Sequence, residues 1–482
     1  MPPPAGILLV LVALGALMAV ATAVARAGRY PPEIPRKVVH VGMGLVCLSL
    51  PWLFAEARPV QVLALLAVVA LGLVRATPRL REGPGRALHG VSRESYGEIL
   101  FPVAVAVTFT LALAHGRREM FVIPLLLLTV ADAAGALAGM RYGRTRYAAG
   151  GGFKSVEGSL SFFFLAFLCA HLVLLLATGT GRVESVLIAA ILALLTMMVE
   201  AISTRGLDNF LIPVVGFHLL EVFLEMPAAT LGVRFAVLAL LLALVLAARR
   251  ATTLGGAALL AAALFGYACF ALGSWRFVLP PLGLFAAHIA VTRRLGVASA
   301  LTHDVDEVAA VGISSLPWLL ARAGGGLDPA PALAAFAAGI GAHVAMMHGG
   351  TVSWARGGSG AAQVLAGALL GTLVGIGPSL PWLGPSWAKA ALWVAAGFVL
   401  IVLSAAGAAG LRRARGEVRA RNVAPAERTA PGQDPPRRGT GVPTRPASAG
   451  GTIRGDPPFV AIKAGLAFLA SAAALLTFEM LR

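Results

Sequence analysis

The sequence predicts an all-α fold, a polytopic membrane bundle of about 14–16 helices in two blocks. Three observations carry that expectation. Apolar runs repeatedly reach the roughly 20 residues that a helix needs to cross a bilayer. Of 482 residues, 58% are hydrophobic and 13% are charged. The basic residues gather in the short gaps between alternate apolar runs, as they do where cytoplasmic loops hold the positive charge. On a soluble protein a formal charge of +17 would point to nucleic acid; here its placement assigns it to the membrane face and excludes a nucleic-acid partner. Cys47, Cys169 and Cys269 lie inside apolar runs without a CxxC or histidine companion, so they announce neither disulfide nor metal. Only four lysines stand against 35 arginines, which singles each lysine out.

Residues 5–25 form the first span; at about twenty residues without a charged leader they read as a membrane helix and not as a signal-peptide core. Arg26, Arg29, Arg36 and Lys37 follow, placing the N-terminus outside and this end of the helix in the cytoplasm. Spans at 38–54 and 60–74 lead into a polar loop containing Arg75, Arg79, Arg81, Arg86 and Arg93. Residues 99–114 and 120–140 go out and back, delivering Arg141, Arg144, Arg146 and Lys154. A second hairpin, 160–177 and 185–202, delivers Arg205, and a third, 210–225 and 229–248, ends at Arg249 and Arg250. Residues 1–250 are thus expected to be the catalytic membrane domain. A second helical domain, 251–410, has spans near 254–272, 276–292, 305–321, 332–347, 361–377 and 388–410. Residues 411–458, rich in Arg, Pro and Gly, read as a disordered basic cytoplasmic loop. A last transmembrane helix fills 459–482. The expected location is the inner (cytoplasmic) membrane, crossed many times, with the chemistry at its cytoplasmic face.

Ionisable residues within or at the edge of a span are costly, and by default mark function or a buried pair. Asp132 lies about eight residues, roughly 12 Å, from the cytoplasmic end of its span. Gly135 and Gly139 share its helical face, leaving that face acidic and thin. Close helix packing explains the glycines as well as ligand approach does. Gly150, Gly151 and Gly152 then precede Phe153, Lys154 and Ser155. Adjacent glycines let backbone N–H groups converge on phosphate oxygens, and a lysine adds a mobile positive charge. Phe153 stands where a Walker A motif needs glycine, which excludes a P-loop without excluding phosphate binding. Glu157 and Ser159 open the next span, where an acid suits the helix dipole. Glu200, and Asp208 with Asn209 after a short turn, approach the same membrane face. So do Arg36, Lys37 and His40 in RKVVHVGMG, and Arg93, Tyr96 and Glu98 in RESYGEILFP.

Acids can hold Mg²⁺ through oxygen, basic groups can neutralise phosphates, and one carboxylate can take a hydroxyl proton, so the set suits nucleotide-dependent phosphoryl transfer. The candidate catalytic residues are Asp132, Lys154, Glu157 and Asp208. The candidate nucleotide contacts are Gly135, Gly139, Gly151, Gly152, Lys154, Ser155, Ser159 and Asn209, and the candidate metal ligands are Asp132, Glu200 and Asp208.

Together these residues resemble the polyprenol kinase family of membrane proteins: phytol kinases, dolichol kinases and CTP-dependent diacylglycerol kinases. The matching elements are Arg36, Lys37 and His40 as RK-x-x-H, the RESYGE loop, Asp132 with its following glycines, and KSVEGS from Lys154. Glu200, Asp208 and Asn209 complete them as E-x7-D-N, over about residues 30–225. RGLDN followed by Pro213 is most similar to phytol kinases. The resemblance implies CTP as phosphoryl donor, Mg²⁺, and a membrane-dissolved alcohol such as phytol, geranylgeraniol or another polyprenol as acceptor. A diacylglycerol kinase or a phosphatidate cytidylyltransferase-like enzyme would draw on the same acids. A transporter would place its polar residues at the midplane, not at one face.

Residues 252–296 resemble the opening of the integral-membrane family that includes phytyl-phosphate kinases. Where that family's acidic motif would follow, residues 302–307 read THDVDE. This cluster suits a metal, and equally suits a helix N-terminus. Residues 348–360, HGGTVSWARGGSG, suggest a second phosphate loop, while His343 and His348 read as packing residues.

Overall fold

The structure, a computed structural model, describes residues 2–27, 29–31, 33–77, 79, 95–149, 152–296, 303–356, 360–382, 387–423 and 457–481. Thirteen helices among them are long and apolar enough to cross a membrane, and the chain is a multi-pass, all-α membrane protein. Its contacts divide into two units, Met1–Ala243 and Leu244–Arg482.

In the first unit α1 (Pro3–Arg26) packs on α2 (Glu33–Leu48), and α3 (Ala57–Ala76) on α4 (Gly97–Ala114). Helix α5 (Glu119–Tyr142) is interrupted by one wide π turn, Leu127–Ala131. A two-stranded antiparallel hairpin follows, β1 (Arg146–Ala149) and β2 (Gly152–Ser155), and leads into α6 (Val156–Ala177). Helices α7 (Arg182–Ile202), α8 (Asp208–Phe223) and α9 (Ala228–Ala247) complete the bundle. Helix α7 is its axis: Ile191, Leu192, Ala193 and Met198 are fully enclosed. The peripheral helices turn Leu65, Phe164 and Leu240 outward, at 63%, 62% and 69% exposure, as lipid-facing surfaces do. Lipid is as apolar as leucine, so small residues and close backbone contact hold such helices together. A Cβ added at Gly158 of α6 would lie 2.8 Å from the Gly135 carbonyl oxygen and 3.2 Å from the Gly139 Cα of α5.

The hairpin departs from the expected loop between two helices. Residues 146–149 alternate outward and inward, ending with Ala149 buried, the period of a strand. The register sets Tyr147 opposite Lys154 and Arg146 opposite Ser155. Helices α2 and α8, each read as a span from sequence, run only 16 residues.

In the second unit α10 (Gly256–Gly273) and α11 (Trp275–Arg294) precede α12 (Val305–Ala323). Helix α13 (Pro329–Arg356) runs through the middle, against α11, α12, α14 (Ala361–Gly371), α15 (Trp387–Val423) and α16 (Pro457–Leu481). Alanine and glycine thin it enough for that: a Cβ at Gly371 would stand 2.2 Å from the Gly341 carbonyl oxygen. Residues 348–356 continue α13, so the phosphate loop expected there is helix as far as Arg356; residues 357–359 lie outside the described residues. Glycine pairs within a membrane helix serve packing, which makes them resemble a loop in sequence. Residues 411–423, expected to be disordered, continue α15, and 424–456 lie outside the described residues.

The THDVDE cluster is divided among structural roles. His303 hydrogen-bonds through Nδ1 to Thr253 Oγ1 at 2.7 Å, the Asp304 carboxylate accepts from Val305 N at the start of α12 at 2.8 Å, and Glu307 pairs with Lys463. His343 contacts Ser314 Oγ at 2.9 Å inside the unit. Among the described residues no three His, Cys, Asp or Glu side chains converge to hold a metal on their own.

Because backbone closes in on Gly158, Gly158→Val is expected to cost about 1–3 kcal/mol by overpacking. Thermal unfolding in detergent should show a lowered midpoint for Gly158→Val and none for Gly232→Val, whose added Cβ meets nothing within 4 Å.

Candidate active site

At the polar end of the first unit, α2, α4, α5, the hairpin, α6 and the turn between α7 and α8 surround a cleft of about 880 Å³. Its floor is Asp132, the residue that follows the π turn of α5 and is 7% exposed. Lys37 Nζ donates to Asp132 Oδ2 at 2.7 Å, bringing together side chains 95 positions apart. His40, one turn further along α2, has Nε2 2.8 Å from the Leu128 carbonyl oxygen and 3.4 Å from Asp132 Oδ2. A carbonyl only accepts, so Nε2 carries the hydrogen. An inserted π turn shifts helix carbonyls away from their regular partners and is common beside functional sites; here the donor that meets one of them is His40.

The opposite wall holds a second pair. Lys154, central in β2, donates from Nζ to Glu200 Oε1 at 2.6 Å and also to the Glu200 carbonyl oxygen. Beside it Tyr147 shares a 2.7 Å hydrogen bond with Ser159 Oγ. Burial pushes the Tyr147 phenol up to about 12 despite that bond, so it stays protonated. Ser155 caps α6, its Oγ accepting from Gly158 N at 3.1 Å.

The third wall is built by two loops fastened to each other. Arg205 (φ 54°) and Gly206 (φ 83°) make a left-handed turn before α8. Tyr96 N donates to the Arg205 carbonyl at 2.8 Å, and Gly97 N to Ser95 Oγ at 3.1 Å. A Cβ at Gly206 would come within 2.5 Å of Gly97 N, and one at Gly97 within 2.2 Å of Asn209 Nδ2, so only glycine lets the loops approach this closely. Arg75 locks them from behind: it donates to the Ser95 carbonyl at 2.5 Å and to Glu98 Oε1 at 3.0 Å, and its guanidinium lies 4.4 Å from the Tyr96 ring centroid. The result sets Asp208 and Asn209 at the first turn of α8, facing the cleft.

Most of the candidate residues meet here: Arg36, Lys37, His40, Glu98, Asp132, Gly135, Gly139, Lys154, Ser155, Ser159, Glu200, Asp208 and Asn209 all line the cleft. Three described candidates do not. Tyr96 lies under Arg75, Gly152 pairs with Ala149 at the hairpin end, and Glu157 turns its carboxylate to Thr145 N at 3.1 Å. The Glu157 carboxylate accepts from that backbone donor of the preceding turn through both oxygens. Gly151 and Arg93 lie outside the described residues. Sequence reasoning missed Glu33, Ser203 and the working position of Arg75, which all line the cleft. Arg75 stood out only as a topological charge, although its place immediately after a span and before RESYGE was the available signal.

Carboxylate oxygens of Asp132, Glu200 and Asp208 and the amide oxygen of Asn209 are hard donors of the kind Mg²⁺ accepts. They do not form a closed cage, which is usual for Mg²⁺, since substrate phosphates complete its shell.

Removing one partner of a buried pair strands the other charge. Lys37→Met is therefore expected to destabilise the chain by about 3–5 kcal/mol. The double variant Lys37→Met with Asp132→Leu should recover most of that loss, as a detergent-micelle unfolding titration would show.

No protein-family model matches the chain, and no solved structure matches it. A curated protein does: the phytol kinase of Synechocystis sp. (strain ATCC 27184 / PCC 6803 / Kazusa) is 32% identical over 200 residues, 42% of this chain and 83% of that one. At that coverage of the relative's length, the chain belongs to the polyprenol kinase family, to which phytol kinases belong.

Proposed function

We propose that the chain is a CTP-dependent kinase that phosphorylates a membrane-dissolved lipid alcohol, phytol, geranylgeraniol or another polyprenol, at the cytoplasmic face. The observation that carries the reading is the gathering of Lys37 and Lys154 with Asp132, Glu200 and Asp208 in one cleft at the polar end of an apolar bundle. A charged triphosphate needs the first, and a substrate dissolved in lipid needs the second. The family supports the acceptor, since the matched relative is a phytol kinase. CTP as donor is what the family resemblance implies, and the arginine distribution supports the cytoplasmic orientation.

In the reaction the alcohol oxygen attacks the γ-phosphorus, a new O–P bond forms, and the bond from that phosphorus to the β–γ bridging oxygen breaks. The products are a lipid monophosphate and CDP. The alcohol proton passes to a carboxylate, and Asp132, buried beside the apolar interior, is the group we assign to receive it. Lys154 neutralises phosphate oxygens, exchanging its carboxylate partner for the nucleotide, while Lys37 stays paired with Asp132. Such exchange needs a compact cation on a flexible stem, which lysine supplies better than arginine. When bound, Mg²⁺ would be held by Glu200, Asp208 and the phosphates and would offset charge on the transferring group. The thin faces of Gly135, Gly139 and Gly158 let α5 and α6 meet backbone to backbone at the edge of the cleft.

Label transfer tests the reading. Purified protein given phytol and γ-labelled CTP is expected to place the label on the lipid, and Lys154→Ala to lose at least about a hundredfold in rate, as loss of a single charge-stabilising donor does. Label released as pyrophosphate with the cytidylyl group on the lipid would make the enzyme a cytidylyltransferase instead.

A further inference from the structure

The hairpin of the first unit carries chemistry on both of its faces, and phosphoryl transfer uses only one. Pairing sets Lys154 opposite Tyr147, on the face turned to Glu200 and Ser159. Side chains alternate along a strand. Phe153 therefore stands on the other face, opposite Ala148, with Arg146 diagonally across from it and within reach of a long side chain. Phe153 is 73% exposed, and Ala148 is too small to cover its ring. Both Phe153 and Arg146 line the same cleft as Lys154. Among the described residues no ring packs on Phe153 and no acceptor meets the Arg146 guanidinium.

The hairpin holds this face in place. Val156 N donates to the Thr145 carbonyl at 2.9 Å, and Glu157 accepts from Thr145 N, which closes the hairpin at its base. An added Cβ at Gly143 would lie 2.9 Å from Ser155 Oγ, so the end of α5 is packed against β2. The neighbours of Phe153 across the hairpin include Arg144, Thr145 and Arg146, all exposed. An alkyl chain seeks a surface without charge. A flat heterocycle with polar edges suits a bare aromatic ring beside an unpaired guanidinium.

We propose that Phe153 and Arg146 hold the base of the nucleotide, an inference that rests on the nucleotide-dependent kinase function proposed for the cleft. Phosphates that meet Lys154 on one face of β2 are joined through the ribose to a base that reaches the other, so one nucleotide straddles the strand. The Phe153 ring gives the base a stacking platform, and the Arg146 fork donates to its edge. Cytosine presents N3 and O2 side by side as acceptors, which take both arms of a guanidinium. In uracil N3 carries a hydrogen and turns one arm away. Phe153 contributes affinity and Arg146 the choice of base.

Titration calorimetry of the full chain in detergent micelles with Mg²⁺ tests this, using non-hydrolysable analogues of CTP and UTP, and inorganic tripolyphosphate as the probe without a base. Phe153→Ala is expected to weaken the CTP analogue at least about fivefold, the lower end of what a base–aromatic stack contributes, and to leave tripolyphosphate unchanged. Phe153→Tyr should bind as the wild-type chain does. The wild-type chain should prefer the CTP analogue to the UTP analogue, and Arg146→Gln should bring the two to equal affinity. Unchanged affinity for the CTP analogue in Phe153→Ala, an equal loss for tripolyphosphate, or a preference for CTP left intact in Arg146→Gln would overturn the proposal. So would a raised KM for phytol in Phe153→Ala at unchanged CTP-analogue affinity, which would give the ring to the acceptor chain. In each of these cases tripolyphosphate binding that Lys154→Ala abolishes would leave the kinase function standing, whereas a wild-type chain that binds neither nucleotide nor tripolyphosphate would overturn both.

Discussion

The buried pair Lys37/Asp132 is the interaction on which the first unit's site depends. Its 2.7 Å contact joins α2 to α5 at a depth where neither charge is tolerable alone. An uncompensated charge there would shift the whole packing or force one group to neutralise. Once Lys37 is committed to Asp132, His40 falls beside the π turn and meets the Leu128 carbonyl, and α2 is fixed in rotation and height. Helix α5 brings Gly135 and Gly139 with it, and these admit α6 through Gly158. One ion pair thereby sets the positions of three helices around the cleft.

The second pair, Lys154/Glu200, repeats the device across the cleft, with a hairpin in place of a helix carrying the lysine. Strand β2 is short, and its alternation points Lys154 inward between outward Phe153 and the buried Ser155 cap. The loops that hold Asp208 and Asn209 are fastened differently, by backbone contact between Gly97 and Gly206 and by Arg75. Rigid support of this kind matters for phosphoryl transfer, where most of the rate comes from positioning and electrostatics and little from covalent chemistry by the protein.

Much of the bundle was legible because the bilayer demands uninterrupted apolar helices. Asp132, Lys154, Glu200 and Asp208 were legible for the same reason, as charges tolerated at costly positions. Pairing was not: nothing local to Lys37 names Asp132, since the two meet only once α2 packs on α5. A first-turn acid such as Glu157 satisfies a nearby backbone donor as readily as it serves chemistry, so its place in the sequence does not by itself assign it a role. Gly349, Gly350 and the arginines after 410 looked like loop and proved to be helix, since a helix packed at an Ala-rich interface tolerates glycine that an exposed one would not. The hairpin escaped notice because four-residue strands between two long spans leave almost no periodic signal.

The central claim is that the acids of the cleft receive a metal–nucleotide complex. Binding of the Mn²⁺ complex of a non-hydrolysable CTP analogue to the purified full chain, read from the electron paramagnetic resonance of bound Mn²⁺, tests it most directly. The account predicts saturable binding that Asp208→Asn weakens at least about tenfold, about 1.4 kcal/mol. Equal affinity in the wild-type chain and the variant would contradict it.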